Sequence, residues 1–112
     1  MTYAVEVVFE IDRNGYDEAA TLVAGDVGGH EFPNSGKEFI EVVNGDASPI
    51  NVTIITPGLV DGQAIGDRVV VVPATDRTKI GPFPPEKYNN ANGMVQFDLS
   101  AITSVTLGVF SY

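Results

Sequence analysis

The side chains that could perform catalytic chemistry are few and widely spaced in this sequence. His30 is the only histidine, and there is no cysteine. A nucleophilic triad would need a serine beside His30, and no serine lies in the G-x-S-x-G turn that exposes a nucleophile. Because His30 follows Gly28-Gly29, we interpret it as a loop residue with a structural or incidental role. The sequence therefore predicts no catalytic residue and no enzymatic activity.

Metal chemistry has one weak candidate. Zinc sites need several cysteine or histidine ligands, which excludes zinc here. Asp12, Asn14, Asp17 and Glu18 surround Gly15 and offer the oxygen ligands that calcium prefers. Their spacing differs from that of an EF-hand loop, so a turn with solvated carboxylates and a calcium-binding turn both stay open. We expect no metal site and no cofactor.

The composition sets the class of protein. The chain has 112 residues, of which 44% are hydrophobic, so it is expected to form a single domain with a modest core. No apolar run approaches the roughly 18 residues that a membrane span needs. Residues 1–10 carry acids where a secretory signal carries bases, so no signal is expected.

The charge is strongly negative and unevenly distributed. Fifteen acids against six bases give a net charge of −9, which argues against nucleic-acid and anionic-membrane partners. Residues 1–46 contain ten acids and two bases (net −8), whereas residues 47–112 contain five acids and four bases (net −1). The acidic half either serves solubility or faces a basic partner surface.

Alternating hydrophobic and polar residues predict strands throughout the chain. The clearest predicted strands are residues 3–11, 37–43, 50–56, 68–72, 77–80, 94–99 and 103–110. In the first, Tyr3, Val5, Val7, Phe9 and Ile11 share one face. The aromatic residues mostly fall on inward strand faces, as Phe9, Phe39 and Phe97 do. Residues 68–72 are apolar on both sides, which predicts a strand covered on both faces. Residues 77–80 are polar enough for an edge strand. Residues 16–24 suit a helical turn, a strand or an extended arm equally well.

No predicted helix is long enough for a βαβ crossover. The predicted fold is therefore all-β: a single antiparallel β-sandwich over residues 1–112, immunoglobulin-like or a small jelly roll. Residues 1–30 are expected to supply a strand of this sandwich or an arm that contacts a neighbour.

One loop stands out by its composition. Residues 81–93, called the proline loop below, contain three prolines, two aromatic residues and three asparagines. Prolines fix φ and remove backbone donors, so this segment is expected to be stiff and outside the sheets. Phe83 and Tyr88 either close one end of the sandwich or contact a partner.

The segment from Phe32 to Phe110, about two-thirds of the chain, resembles small virion proteins encoded among the head genes of tailed bacteriophages. The similar stretches are VTIITPGLVDGQAIGDRVVVVPA, IGPFPPEKYNNANGMVQFDLS and ITSVTLGVF, preceded by an F-x-N-x-G-x-x-F-x-x-V-x-N pattern from Phe32 to Asn44. The GPFPP element is the most distinctive. The resemblance implies a β-sandwich structural protein without catalysis, of the capsid decoration (cement) type.

This resemblance leads to an expectation about partners. A cement protein on the capsid surface would bind the major capsid (coat) protein, commonly as a homotrimer, with many weak contacts adding up on the lattice. Candidate contacts are Phe83, Pro84, Pro85 and Tyr88 on the proline loop, and the acidic residues Asp12, Asp17 and Glu18 facing basic coat surface. The alternatives are a head-closure, neck or tail component, and a cell-surface or carbohydrate-binding module, which would need exposed aromatic residues.

Overall fold

Two β-sheets packed face to face form the fold, seen in a computed structural model that describes residues 3–15, 21–57, 59–60, 63–64 and 66–112. Its elements are β1 Ala4–Val5, β2 Val8–Glu10, β3 Val23–Ala24, β4 His30–Pro33, β5 Glu38–Asn44, β6 Ile50–Ile54, β7 Leu59–Val60, β8 Gln63–Ala64, β9 Arg68–Val72, β10 Asp76–Ile80, α1 Pro85–Tyr88, β11 Met94–Leu99 and β12 Val105–Ser111.

The first sheet has the order β1-β4-β11-β6-β9, and the second has the order β10-β5-β12-β2, with β3 also pairing with β12. Strands β7 and β8 pair in a separate two-stranded sheet. The predicted all-β sandwich is confirmed. The sheets are mixed rather than wholly antiparallel, because β1 pairs with β4 and β2 pairs with β12 in parallel.

The core lies between the sheets and follows the strand alternation. Ile50, Val52 and Ile54 of β6 point inward, as predicted, and their side chains are almost completely buried. Val95 and Phe97 of the neighbouring strand β11 lie beside them on the same inner face of the first sheet. The inner faces of β5 and β12 complete the layer with Ile40, Val42, Val105, Leu107 and Val109. Period-2 patterning therefore identified the centre of the core correctly.

The N-terminal strand differs from the prediction. Residues 3–11 do not form one strand; β1 belongs to the first sheet and β2 to the second, with Glu6 and Val7 in the crossing between them. Val5 and Val7, predicted to lie on the apolar face of one strand with Phe9, are 65% and 68% exposed. Glu6 turns inward instead, where its carboxylate meets His30.

Strand β9 also differs from the prediction. Val69 and Val71 were expected to be covered, yet they are 54% and 58% exposed. The physical reason is that β9 ends its sheet, and its outward face is not packed by another layer. The prediction that residues 77–80 form an edge strand is confirmed, since β10 lies at the end of the second sheet.

Three aromatic rings lie on the outer face of the second sheet. Phe110 stands opposite Phe9 of β2 and Phe39 of β5, with ring centroids 6.5 and 5.9 Å away. Phe9 and Phe39 were expected to face inward. The Phe110 ring covers Gly108, where an added Cβ would lie 2.8 Å from the ring. The second sheet is therefore packed by apolar groups on both faces.

Candidate functional site

The proline loop closes one end of the sandwich. Phe83 and Tyr88, candidate partner contacts, are only 2% and 9% exposed, and their rings meet edge to face at a centroid distance of 5.4 Å. Phe83 also packs on Phe32, at 5.9 Å. Their side chains therefore belong to the core, whereas Pro84 is exposed and Pro85 is half-buried.

Side-chain amides fasten this loop to the sheet. Nδ2 of the buried Asn34 donates to the carbonyl oxygen of Phe83 at 2.9 Å and to Oδ1 of Asn89 at 2.7 Å. Asn89 returns a hydrogen bond from its own Nδ2 to the carbonyl of Asn34 at 3.1 Å. The helical turn α1 begins with Pro85, a residue favoured at a first helical position. The exposed prolines are thus held on a fixed base.

A groove follows the proline loop and contains two cations. Arg68, at the start of β9, and Lys87, on α1, both line this groove, with Pro82, Phe83 and Pro84 as its apolar wall. Its volume is about 400 Å³, and an adjoining groove of about 450 Å³ shares Arg68, Lys87 and Tyr88 and is also lined by Asp67. We call the two together the Arg68–Lys87 groove. Nothing in the sequence pattern indicated it, because its cations come from separate elements.

Tyr88 sets the direction of the Arg68 side chain. Nε of Arg68 donates to the Tyr88 hydroxyl oxygen at 3.2 Å, and this contact raises the pKa of the guanidinium above its ordinary value. The terminal guanidinium nitrogens make none of the hydrogen bonds or ion pairs found among the described residues. A guanidinium with these nitrogens available can bind a carboxylate through two parallel hydrogen bonds.

A second pair of cations forms ion pairs within the fold. Arg77 and Lys79 of β10 approach the two carboxylate oxygens of Glu41, at 2.8 and 2.7 Å. The Glu41 side chain is fully buried, while those of Arg77 and Lys79 are about half and two-thirds exposed. These cations compensate a buried charge, so they serve the structure of the second sheet.

His30 is a strand residue rather than the predicted loop residue. It lies in β4, is 1% exposed and stacks on Phe97 at a centroid distance of 5.2 Å. Its Nε2 accepts a hydrogen bond from the backbone N–H of Asp26 at 2.9 Å, and Nδ1 lies 2.6 Å from a Glu6 carboxylate oxygen. Nε2 therefore carries no proton, and Nδ1 donates to Glu6. Both ring nitrogens are used structurally.

The acidic turn is described only in part. Asp12 is exposed, and its carboxylate accepts the backbone N–H of Asn14 at 2.9 Å, as in a simple turn. Asp17 and Glu18 lie outside the described residues. Within the described ranges, no group of three or more histidine or acidic side chains is arranged to hold a metal ion.

The outer face of the first sheet carries acids. The hydroxyl of Tyr3 donates a hydrogen bond to Asp98 at 3.4 Å. The negative charges of Asp98, Asp67 and Glu31 all disfavour ionisation of this hydroxyl. Burial and then Asp98, Asp67 and Glu31 raise the pKa of Tyr3 above its ordinary value of 10.0. Asp67 also lines the Arg68–Lys87 groove, and its Oδ1 accepts hydrogen bonds from the backbone N–H and the hydroxyl of Thr56 at 2.9 and 3.2 Å.

In comparisons with known proteins, no family model, curated protein or solved structure matches this chain. Among the described residues, no helix has the length and apolar character that crossing a membrane requires.

Proposed function

We propose that this chain is a non-enzymatic virion structural protein that decorates the capsid of a tailed bacteriophage and stabilises its coat-protein lattice. The observation that carries the proposal is the rigid presentation of the proline loop. Phe83 and Tyr88 anchor that loop in the core, and Pro84 remains exposed above them. A pre-ordered surface element loses little entropy on binding, which suits a contact repeated over a lattice.

The interactions of the buried polar side chains support a binding role rather than a catalytic one. His30 uses both ring nitrogens within the fold, and Glu41 is neutralised by Arg77 and Lys79. The side chains left exposed for contact with a partner include Pro84 on the proline loop, Val69 and Val71 of β9, and Asp12 in the acidic turn. In the proposal, the coat protein contacts Pro84 and Pro85, and basic coat surface faces Asp12 together with Asp17 and Glu18.

The carbohydrate-binding alternative receives less support. Sugar recognition uses exposed aromatic rings, and Tyr112 is the only aromatic residue among the large exposed apolar residues of the described ranges. The proline loop, which could have supplied two such rings, turns both inward. A head-closure, neck or tail position uses the same kind of protein surface and is distinguished by copy number.

The experiment is sedimentation of the purified protein with empty capsids, with the bound copies counted per particle. Hundreds of copies per capsid are expected for a decoration protein. Binding of one ring of six or twelve copies would place the protein at the neck or tail, and absence of binding would overturn the virion role. The variant Pro84→Ala/Pro85→Ala should bind more weakly, whereas Pro73→Ala, which changes an exposed proline just after β9, should bind like the wild type.

A further inference from the structure

The Arg68–Lys87 groove contains two cations without a carboxylate partner in the fold. Among the described residues, neither Arg68 nor Lys87 takes part in an ion pair. The part of the groove bounded by the proline loop has no acidic side chain in its lining. Asp67 lines only the adjoining part, where its Oδ1 already accepts two hydrogen bonds from Thr56. The loop side of the groove therefore concentrates positive charge in a chain whose net charge is −9.

Pro84 belongs both to the proposed coat contact and to the wall of this groove. Pro82 and Phe83 form the rest of the apolar wall, and Arg68 and Lys87 supply the cations. Both cations are exposed in the free chain. A partner that packs on Pro84 lies over the groove and takes them out of water. Removing a charge from water is unfavourable unless the partner supplies an opposite charge.

We propose that the Arg68–Lys87 groove binds an acidic segment of the coat protein, whose carboxylates pair with the two cations. This inference rests on the proposed function and gives the chemistry of the partner where it meets the proline loop. The Tyr88 hydroxyl accepts a hydrogen bond from Nε of Arg68, which leaves both terminal nitrogens for the two oxygens of one carboxylate. Lys87 adds a compact ammonium charge from α1.

The acidic turn lies at the same end of the sandwich as the proline loop. Ser111 pairs with Glu10 of β2 and with Glu38 of β5. An added Cβ at Gly81, the first residue of the loop, would lie 3.1 Å from the carbonyl oxygen of Glu38. The coat protein therefore meets charges of both signs at this end, with basic groups opposite Asp12 and carboxylates opposite the groove. Such a pattern fixes the orientation of a bound copy.

The first test adds groove variants to the capsid sedimentation experiment, with bound copies measured against free protein concentration. Arg68→Gln and Lys87→Gln should each raise the dissociation constant about tenfold, because each removes one charge pair from the contact. Ala47→Glu makes the same change in net charge at an exposed position beyond Asn44, the opposite end of β5 from Glu38, and should bind like the wild type. Circular dichroism checks that each variant is folded.

Two further variants test the geometry and the sign of the interaction. Arg68→Lys keeps the charge but loses the planar fork, so it should bind more tightly than Arg68→Gln and more weakly than the wild type. Asp67→Asn keeps an oxygen for Thr56 and removes the carboxylate that lines the adjoining part of the groove. It should therefore bind about twofold more tightly than the wild type.

The second test identifies the group that meets Lys87. A carbodiimide joins a carboxylate to an amine in direct contact, forming an amide with loss of water. In decorated capsids it should link Lys87 to an aspartate or glutamate of the coat protein, as read by mass spectrometry. Absence of this link, or a link to a second copy of this chain, would overturn the proposal. Hundreds of bound copies that ignore both groove charges would overturn it and leave the decoration role standing, whereas absence of wild-type binding would overturn both.

Discussion

Glu6 and His30 join the N-terminal segment to the sandwich at the point where that segment changes sheets. The Glu6 carboxylate accepts a hydrogen bond from Nδ1–H of His30 at 2.6 Å, and Nε2 of the same ring accepts a hydrogen bond from the backbone N–H of Asp26. This arrangement holds β1 beside β4 and orders the turn before β4. One buried imidazole therefore binds both the N-terminal segment and the turn that precedes β4.

Replacing His30 by phenylalanine should destabilise the protein by about 1–3 kcal/mol. The new ring can still stack on Phe97, but the Glu6 carboxylate and the Asp26 backbone N–H lose their hydrogen bonds to the imidazole. Urea unfolding measures the loss, and Glu10→Gln, at an exposed acid on β2, should change stability little. In the wild type, ¹⁵N NMR of the imidazole should show the proton on Nδ1. A proton on Nε2 would contradict the hydrogen bonding described for this ring.

Glu38 should make stability depend on pH in the acid range. Burial opposes its ionisation, but hydrogen bonds from the Ser35 backbone N–H and hydroxyl, and from the Lys37 N–H, outweigh burial and lower the pKa of Glu38 below its ordinary value of 4.5. A carboxylate with a lowered folded-state pKa adds stability above the unfolded-state value, and this stability is lost as pH falls through the folded-state pKa.

The measurement for Glu38 is the unfolding free energy between pH 7 and pH 2 for the wild type and Glu38→Gln. The variant should be less stable at pH 7, and the difference should shrink as pH falls below 4.5. Glu86→Gln, at an exposed position on α1, is the matched control and should follow the wild type. A constant difference between Glu38→Gln and the wild type at all pH values would contradict the role given to the charge.

Gly81 should not tolerate a side chain. Its φ is +140°, and an added Cβ would lie 2.9–3.1 Å from Cβ and Cα of Phe39 and the carbonyl oxygen of Glu38. Strain of this kind costs of order 1–3 kcal/mol, so Gly81→Ala should lower the unfolding free energy by at least about that amount. Gly66→Ala, which meets nothing within 4 Å, should stay within about 0.5 kcal/mol of the wild type. Equal stabilities for the two variants would refute the close approach at Gly81.

The parts of the fold that the sequence predicts are those that local alternation decides. Ile50, Val52 and Ile54 alternate with polar residues, and β6 has one buried face as expected. The N-terminal prediction failed because Glu6 is held by His30, 24 residues away, so a long-range contact overrode the pattern of residues 3–11. Val69 and Val71 were misjudged because a run of valines does not reveal whether its strand is central or last in the sheet.

The candidate site was predictable only in its position. The proline content of residues 81–93 identified the loop, and the prediction that Phe83 and Tyr88 either close the sandwich or contact a partner included the inward orientation seen here. The Arg68–Lys87 groove depends on a contact between Arg68 and Tyr88, which no spacing rule connects. The same holds for the reciprocal amide pair of Asn34 and Asn89, 55 residues apart.

Removing the two cations beside Glu41 should lower the unfolding free energy more than removing the cations and the Glu41 charge together. Arg77→Gln/Lys79→Gln leaves the buried Glu41 without its two cations, and breaking such a pair from one side costs about 3–5 kcal/mol. Adding Glu41→Met removes the buried charge itself and should recover most of that loss, since an apolar replacement of a buried ion pair is often neutral. Urea unfolding of the double and triple variants decides the matter: a triple variant no more stable than the double would mean that Glu41 stabilises the sheet through its packing rather than through its charge.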